Sequence, residues 1–361
     1  MIDSARPAAA RRGPVADQEA TVHAHPINSV LIIGTGALAS LVGARLRRAG
    51  GDGLDVTLAG SWPEALAAIE RDGVTVDERH GSWRAPVRAA DIAGPLPMAD
   101  LVLVLVKSHQ TERVAPHAAR AVAPDGLVLT LQNGLGNREA LERHVGMGRV
   151  AQGVTSMGAT LVAPGHVRAG GDGHTVIDSS CSAGSADGDG RSAPGSASSP
   201  RAAEAARLLT AAGFPTTTSG DLDALVWRKL VASSAINALS ALRGVPNGEL
   251  LRDPSARAKL EEAAREVGRV AAARGIDLGA DPVALALQVA TDTAGNESSM
   301  LQDVRRGAPT EIDAINGAVV REGRRLGVPT PVNEELVEAV RRLESSTVRR
   351  TGPALTAEAA S

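Results

Sequence analysis

Aromatic residues and cysteines are scarce in this chain of 361 residues, and each scarcity excludes a class of site. There is no tyrosine, with only three tryptophans and one phenylalanine, so we expect no aromatic platform for stacking nucleic-acid bases. The single cysteine, Cys181, excludes both an intramolecular disulfide and a multi-cysteine zinc site. The eight histidines show no metal-binding spacing, so no metal site is predicted.

An excess of charge and a long apolar run are also missing. The 38 basic and 41 acidic residues give a net charge of -3, which provides no reason to expect a nucleic-acid or anionic-membrane partner. No run reaches the roughly 18 apolar residues of a membrane-spanning helix, and the N-terminal segment lacks the apolar core of a signal peptide. We therefore expect a cytoplasmic protein. Its hydrophobic content of 43% is typical of a globular chain.

Three segments have the composition of chain that lies outside a folded core. Residues 1–26 are rich in Ala, Pro, Arg and His, and residues 179–200 are almost entirely small, polar or proline. Residues 347–361 lack apolar periodicity. We predict two flexible tails and a mobile surface insertion, which leaves two domains, 27–219 and 220–346.

Short apolar runs alternate with helical patterns in the first of these domains. SVLIIG, DVTLAG, DLVLVLVK and GLVLTLQ have the character of buried strands, and ALASLVGARLRRAG and WPEALAAIERDG have helical periodicity. This alternation predicts an α/β fold with a doubly wound parallel sheet of the Rossmann type. The strong patterns after residue 220, including PTEIDAINGAVVREGRRLG, are helical, so we predict an all-helical second domain with a ligand cleft between the two.

A glycine-rich turn joins the first strand to the first helix. Gly34, Gly36 and Ala39 match the G-x-G-x-x-A frame of dinucleotide-binding proteins in its required strand-to-helix context. Gly34 would allow the tight turn, Gly36 would let backbone N–H groups approach a pyrophosphate, and Ala39 would permit close packing. The alternative is an ordinary turn built from small residues.

The residue that would bind the adenosine ribose is less clear. Asp55 has the right spacing but begins its strand, whereas the ribose is normally bound at the end of that strand, here Ser61 and Trp62. The end of this strand has no acidic residue that would repel a 2′-phosphate, and the Ser61 hydroxyl could donate a hydrogen bond to one. The arginine that commonly binds this phosphate is missing. We favour NADP(H), with NAD not excluded.

Polar groups follow two further strands and line one side of a later helix. Lys107 and Gln110 follow one strand and Asn133 follows the next, which places a cation and amides beside the predicted dinucleotide, unless they are only solvated strand ends. In RKLVASSAINALSAL, four polar residues fall at steps of four, four and three, on one side of the helix. They are Lys229, Ser233, Asn237 and Ser240. This stripe is either a solvated face or part of an active site.

The order and spacing of six segments resemble ketopantoate reductase, the NADPH-dependent 2-dehydropantoate 2-reductase family, over residues 29–340. The segments are GTGALA, VKSHQ, LQNGLGN, WRKLVASSAIN, GVPNGEL and SSMLQDVRRGAPTEIDAING. The resemblance implies that Lys229 protonates the keto oxygen and that Glu311 lies near this lysine and the nicotinamide ribose. It implies substrate contacts at Asn133, Asn237, Asn247 and Ser299, and Ser233, at a position where the family usually has Asn, is a further substrate-binding candidate. It implies cofactor contacts at Gly34, Thr35, Gly36, Ala37, Leu38, Ala39, Lys107, Asn133, Ala159 and Glu311, to which the strand ends add Ser61 and Gln110 as candidates.

This chemistry has a physical reason. Hydride transfer to a ketone builds negative charge on its oxygen, and a protonated lysine supplies both a cation and a proton. Burial would lower the pKa of Lys229, and the Glu311 carboxylate would raise it again.

Two departures from the family keep other functions open. The family usually has Asn where Ser233 stands and Arg where Ser61 stands. One alternative is therefore a reductase of another branched 2-keto acid. The other is a catalytically silent NAD(P)-binding regulatory or scaffold protein. The sequence also leaves open whether the helical domain pairs with a second copy as a homodimer.

Overall fold

The computed structural model describes residues 26–171, 173–180 and 199–351, with side chains up to residue 346. Most of the first predicted tail, the end of the second and all but the edges of the predicted insertion, with Cys181, lie outside the described residues. Within these ranges the chain forms twelve strands and twelve α-helices.

The strands form two sheets. Their bounds are β1 Ser29–Ile33, β2 Asp55–Gly60, β3 Val74–Glu78, β4 Gly81–Ala85, β5 Arg88–Asp91, β6 Ala99–Val104, β7 Val122–Thr130, β8 Val150–Thr155, β9 Ala159–Ala163, β10 His166–Ala169, β11 Thr175–Asp178 and β12 Thr216–Ser219.

Most of the helices after residue 220 pack on one another, and the earlier ones flank the sheets. Their bounds are α1 Ala37–Gly50, α2 Pro63–Asp72, α3 Thr111–Ala121, α4 Asn137–Val145, α5 Pro200–Ala211, α6 Asp223–Arg243, α7 Glu249–Arg252, α8 Pro254–Ala273, α9 Pro282–Asp292, α10 Ser299–Arg305, α11 Asn316–Leu326 and α12 Pro331–Thr351. Short 3₁₀ helices occupy Gly51–Gly53 and Ser108–Gln110. None of the helices in the described part of the chain combines the length and the apolar character that a bilayer span requires.

The larger sheet has eight strands in the order β12-β11-β8-β7-β6-β1-β2-β5. All neighbours are parallel except β8 and β11. Both faces are covered: Val30 and Ile32 of β1 belong to one apolar core, and Leu31 and Ile33 belong to the core on the opposite face. The predicted doubly wound α/β architecture is therefore confirmed, and the apolar runs are continuous because both faces are buried.

A second, smaller sheet was not predicted. It has four strands in the order β4-β3-β10-β9. Its strands are short and largely half-exposed: in β4, for example, Ala85 alone is buried. They are only four or five residues long, so an alternation such as that of β4, Gly81–Ala85, spans too few residues to be distinguished from a loop in the sequence.

The helices from α6 onward form one apolar core that includes Trp227, Leu239, Leu260 and Val319. Helix α6 lies at its centre and contacts α8, α9, α10 and α12. One predicted helix is shorter than expected. The pattern in PTEIDAINGAVVREGRRLG is helical only from Asn316, because residues 311–315 form turns, with the Thr310 hydroxyl accepting from the Ile312 N–H (3.2 Å).

Candidate active site

The glycine turn between β1 and α1 has the geometry of a dinucleotide loop. Gly34 has a φ of 137°, and a Cβ there would stand 2.9 Å from the Leu105 carbonyl oxygen, so only glycine is accommodated. Helix α1 begins at Ala37, after Gly36. A Cβ at Gly36 would meet no atom within 4 Å, so the N-terminus of α1 is open to a ligand. Ala39 is fully buried, as close packing against the sheet requires.

A cleft of about 490 Å³ opens beside this loop, between the sheet and the helical half. The predicted site residues that line it are Gly34, Thr35, Gly36, Ala37, Leu38, Ser61, Lys107, Gln110, Asn133, Ala159, Lys229, Ser299 and Glu311. The strand ends, the glycine loop and the long helix α6 thus contribute to one cavity. Asp55 is exposed at the start of β2 and forms a surface pair with Arg88 (3.4 Å).

Lys229 reaches the cleft from α6. Its Nζ donates to the carbonyl oxygen of Thr155, the last residue of β8, at 2.7 Å. Removal from water lowers the pKa of Lys229 to about 8, and the negative charge of Glu311 acts in the opposite direction. The amine therefore does not point to bulk solvent, and it is a cation that gives up its proton more readily than an exposed lysine.

Glu311 is held by groups from the sheet half of the protein. Its Oε1 accepts from the backbone N–H of Ser108 (3.1 Å) and from the Ser108 hydroxyl (2.7 Å), and its Oε2 accepts from Asn133 Nδ2 (3.4 Å). Only 6% of the Glu311 side chain is exposed. The turn that replaces the predicted helix carries this carboxylate.

A second ionic group bridges the two halves at the same cleft. Lys107 Nζ lies 2.6 Å from Asp303 Oδ2 and 3.7 Å from Glu311 Oε2. Arg306 lies 2.7 Å from the other oxygen of Asp303. Burial raises the pKa of Asp303, while the charges of Lys107 and Arg306 lower it.

Four predicted residues lie outside the lining of this cleft. Ala39 is one, as described above. Ser233 lies on a narrow crevice that also contacts Lys229 and Asn133. Asn237 follows it on α6 and is half-buried, and Asn247 is buried with its Nδ2 donating to the Thr293 hydroxyl (2.9 Å). The Oδ1 of Asn247 has no hydrogen-bond partner among the described residues.

One member of the polar stripe on α6, Ser240, faces neither solvent nor the cleft. Ser240 is fully buried, and its hydroxyl lies 2.5 Å from that of Ser298, which caps α10. Its role is therefore to join two helices, because the helix is covered on this side by α10.

Sequence reasoning missed several groups of the site. They are Ser108, which bonds Glu311; the Thr155 carbonyl, which accepts from Lys229; Asp303, which pairs with Lys107; and Arg113, which lines the cleft. Ser108 and Asp303 lie inside VKSHQ and SSMLQD, but nothing in those segments indicates their partners. The described residues contain no group of three or more His, Cys, Asp or Glu side chains that could hold a metal.

Comparison with known families identifies the chain. Residues 30–180 match the family model described as ketopantoate reductase PanE/ApbA, and residues 221–344 match its C-terminal model. The chain belongs to the ketopantoate reductase family. Relatives named 2-dehydropantoate 2-reductase include that of Halobacterium salinarum, 39% identical over 86% of this chain and 97% of the relative. That of Archaeoglobus fulgidus is 36% identical over 88% and 99%.

Solved structures agree with this assignment. The ketopantoate reductase of Ralstonia eutropha is 35% identical, with a TM-score of 0.76, over 88% of this chain and 99% of that chain. A D-mandelate dehydrogenase solved with NADH and anilino(oxo)acetate is 26% identical, with a TM-score of 0.78 and the same coverage. The predicted family and fold are thus confirmed, and the chain is an oxidoreductase of this family.

Proposed function

We propose that this protein reduces 2-dehydropantoate to (R)-pantoate with NADPH, a step of pantothenate biosynthesis, and that Lys229 is the general acid. The observation that carries the proposal is a lysine with a pKa lowered to about 8 inside a cleft that also contains a dinucleotide-type glycine loop. The names of the relatives support the substrate.

The cofactor would be held by the glycine loop, the strand ends and Ala159. Gly36 leaves the N-terminus of α1 free for a pyrophosphate, and Lys107, Gln110 and Asn133 line the same cleft. A nicotinamide cofactor supplies the hydride when it is bound.

The chain itself supplies the proton and the orientation of the keto acid. Lys229 donates its proton to the keto oxygen as negative charge develops there. Glu311, fixed by Ser108 and Asn133, raises the affinity of Lys229 for that proton. Ser299 in the cleft is proposed to bind the substrate, together with Asn133, Ser233, Asn237 and Asn247.

A second candidate is a reductase of another branched 2-keto acid. The observation in its favour is Ser233, whose side chain is shorter than the Asn usual in the family, together with the likeness to a D-mandelate dehydrogenase solved with NADH and anilino(oxo)acetate. A shorter side chain beside Lys229 would leave room for a different substrate chain.

A substrate panel distinguishes the two. Purified protein is mixed with NADPH or NADH and with 2-dehydropantoate, other branched 2-keto acids or phenylglyoxylate, and nucleotide oxidation is followed by absorbance. We expect the highest kcat/KM for 2-dehydropantoate, with pantoate as the product. A higher kcat/KM for another keto acid would favour the second candidate, and no oxidation with any of them would favour a catalytically silent protein.

A further inference from the structure

Four lysine and arginine side chains line the cleft, and three of them interact with other groups of the protein. Lys107 and Arg306 both pair with Asp303. Lys229 donates a hydrogen bond to the Thr155 carbonyl oxygen, and the negative charge of Glu311 raises its pKa. The fourth, Arg113, is exposed, and within the described ranges no carboxylate lies at ion-pair distance from it.

Arg113 lies on the first turn of α3, directly after the loop that follows β6. It lines the same cleft as Gly60, Ser61 and Trp62 at the end of β2. In a doubly wound sheet this end of the second strand is where the adenosine ribose is bound, and where a phosphate or a hydroxyl at its 2′ position is distinguished.

The charges of the lining favour an anion at this position. The carboxylates that line the cleft in the described part of the chain are Asp303 and Glu311, and both already bind other groups. Neither the end of β2 nor α3 adds an acid to the lining.

We propose that Arg113 binds the 2′-phosphate of NADP(H), so that α3 supplies the cation that is missing after β2, where Ser61 stands. This inference rests on the proposed function only in requiring a dinucleotide in the cleft, and it does not depend on which keto acid is reduced. A guanidinium presents two parallel N–H donors that match phosphate oxygens, and its long stem spans the distance from a neighbouring element. The Ser61 hydroxyl would add a neutral hydrogen bond.

Nucleotide fragments test the contact without a catalytic readout. Binding of adenosine 2′,5′-bisphosphate and of 5′-AMP is measured by calorimetry for the wild type and for Arg113→Gln. We expect the variant to bind the bisphosphate about ten- to a hundredfold more weakly, the loss typical of a hydrogen bond between charged groups, and 5′-AMP within about twofold. Arg120→Gln is the matched control, since Arg120 is exposed on the same helix and does not line the cleft.

Equal losses for both fragments, or no loss for the bisphosphate, would overturn the assignment, as would the same loss in Arg120→Gln. Adding Ser61→Arg to Arg113→Gln should restore selectivity for the bisphosphate, because it returns a cation to the end of β2. Selective binding that depends on Arg113 without reduction of any keto acid would overturn the proposed function alone. Reduction of 2-dehydropantoate with unchanged fragment binding in Arg113→Gln would overturn this inference alone.

Discussion

At the scale of single residues, the chemistry depends on the pKa of the Lys229 ammonium group. Partial burial makes the cation less stable, and the charge of Glu311 stabilises it, so the pKa of Lys229 settles at about 8 instead of 10.5. An acid with a pKa slightly above neutrality is largely protonated at pH 7 and still releases its proton easily. Arginine could not replace it, because a guanidinium does not release a proton in proteins.

The first prediction concerns pH. Since Lys229 must carry its proton, kcat/KM for keto-acid reduction should fall as the pH rises through about 8. Glu311→Gln removes the charge that raises this pKa, so the fall should move to lower pH. Steady-state kinetics across the pH range check both statements. Asp313→Asn, a change at an exposed carboxylate two residues away, should leave the pH dependence of kcat/KM unchanged. A pH dependence that is unshifted or shifted to higher pH in Glu311→Gln would contradict the interaction between Glu311 and Lys229.

At the scale of elements, the predictable parts of the protein are those whose signal is local. Four adjacent strands of the larger sheet, β7, β6, β1 and β2, could be predicted because burial on both faces makes their sequences largely apolar, whereas the edge strands β5 and β12 are half-exposed and polar and were missed. The smaller sheet could not, since its strands are only four or five residues long and mix apolar residues with arginine, serine and aspartate. The helical pattern around Glu311 was misleading, because a contact with the loop after β7 fixes a turn there: the Leu135 N–H donates to the Ala314 carbonyl (3.0 Å).

That contact gives the second prediction. Gly134 has a φ of 82°, and a Cβ there would lie 2.2 Å from the Ala314 carbonyl oxygen. Gly134→Ala should push away the turn that carries Glu311 and lower kcat/KM tenfold or more. Gly136→Ala is the matched control, because Gly136 has a similar φ of 92° but its Cβ would meet no atom within 4 Å. Gly136→Ala should lower the free energy of unfolding by about 1–2 kcal/mol, the cost of a left-handed backbone at a non-glycine residue, without displacing the turn. Equal effects of the two variants on kcat/KM would contradict this explanation.

At the scale of the whole molecule, the site exists because residues about two hundred positions apart meet across the cleft. Ser108 and Glu311 are 203 residues apart, and Lys107 and Asp303 are 196 apart. Lys229 and Glu311 could be proposed from sequence motifs. Ser108, Asp303 and Arg113 could not, because local spacing in the sequence does not reveal contacts over such separations. The bounds of the two domains and pairing as a homodimer stay predictions.

The third prediction concerns the ionic bridge between the two halves. Only 1% of the Asp303 side chain is exposed, and Asp303→Asn removes the carboxylate that Lys107 and Arg306 share. Breaking a buried pair typically costs about 3–5 kcal/mol, and because 35% of Lys107 is exposed we expect a smaller loss of unfolding free energy, roughly 1–3 kcal/mol. Denaturant titration measures it. Asp313→Asn breaks an exposed pair with Arg341 and should cost under about 1 kcal/mol. Equal stability of Asp303→Asn and the wild type would show that the bridge does not hold the halves together.

The most direct test of the account compares Lys229→Ala with the wild type, using 2-dehydropantoate and NADPH. General acid catalysis contributes about 10²–10⁴-fold, so kcat should fall by a factor of about a hundred or more while the Kd for NADPH, measured by fluorescence, changes by less than about twofold. Lys259→Ala, which removes an exposed lysine paired with Glu335, should behave as the wild type. A Lys229→Ala protein that keeps more than about a tenth of the wild-type kcat would contradict the assignment of Lys229 as the acid.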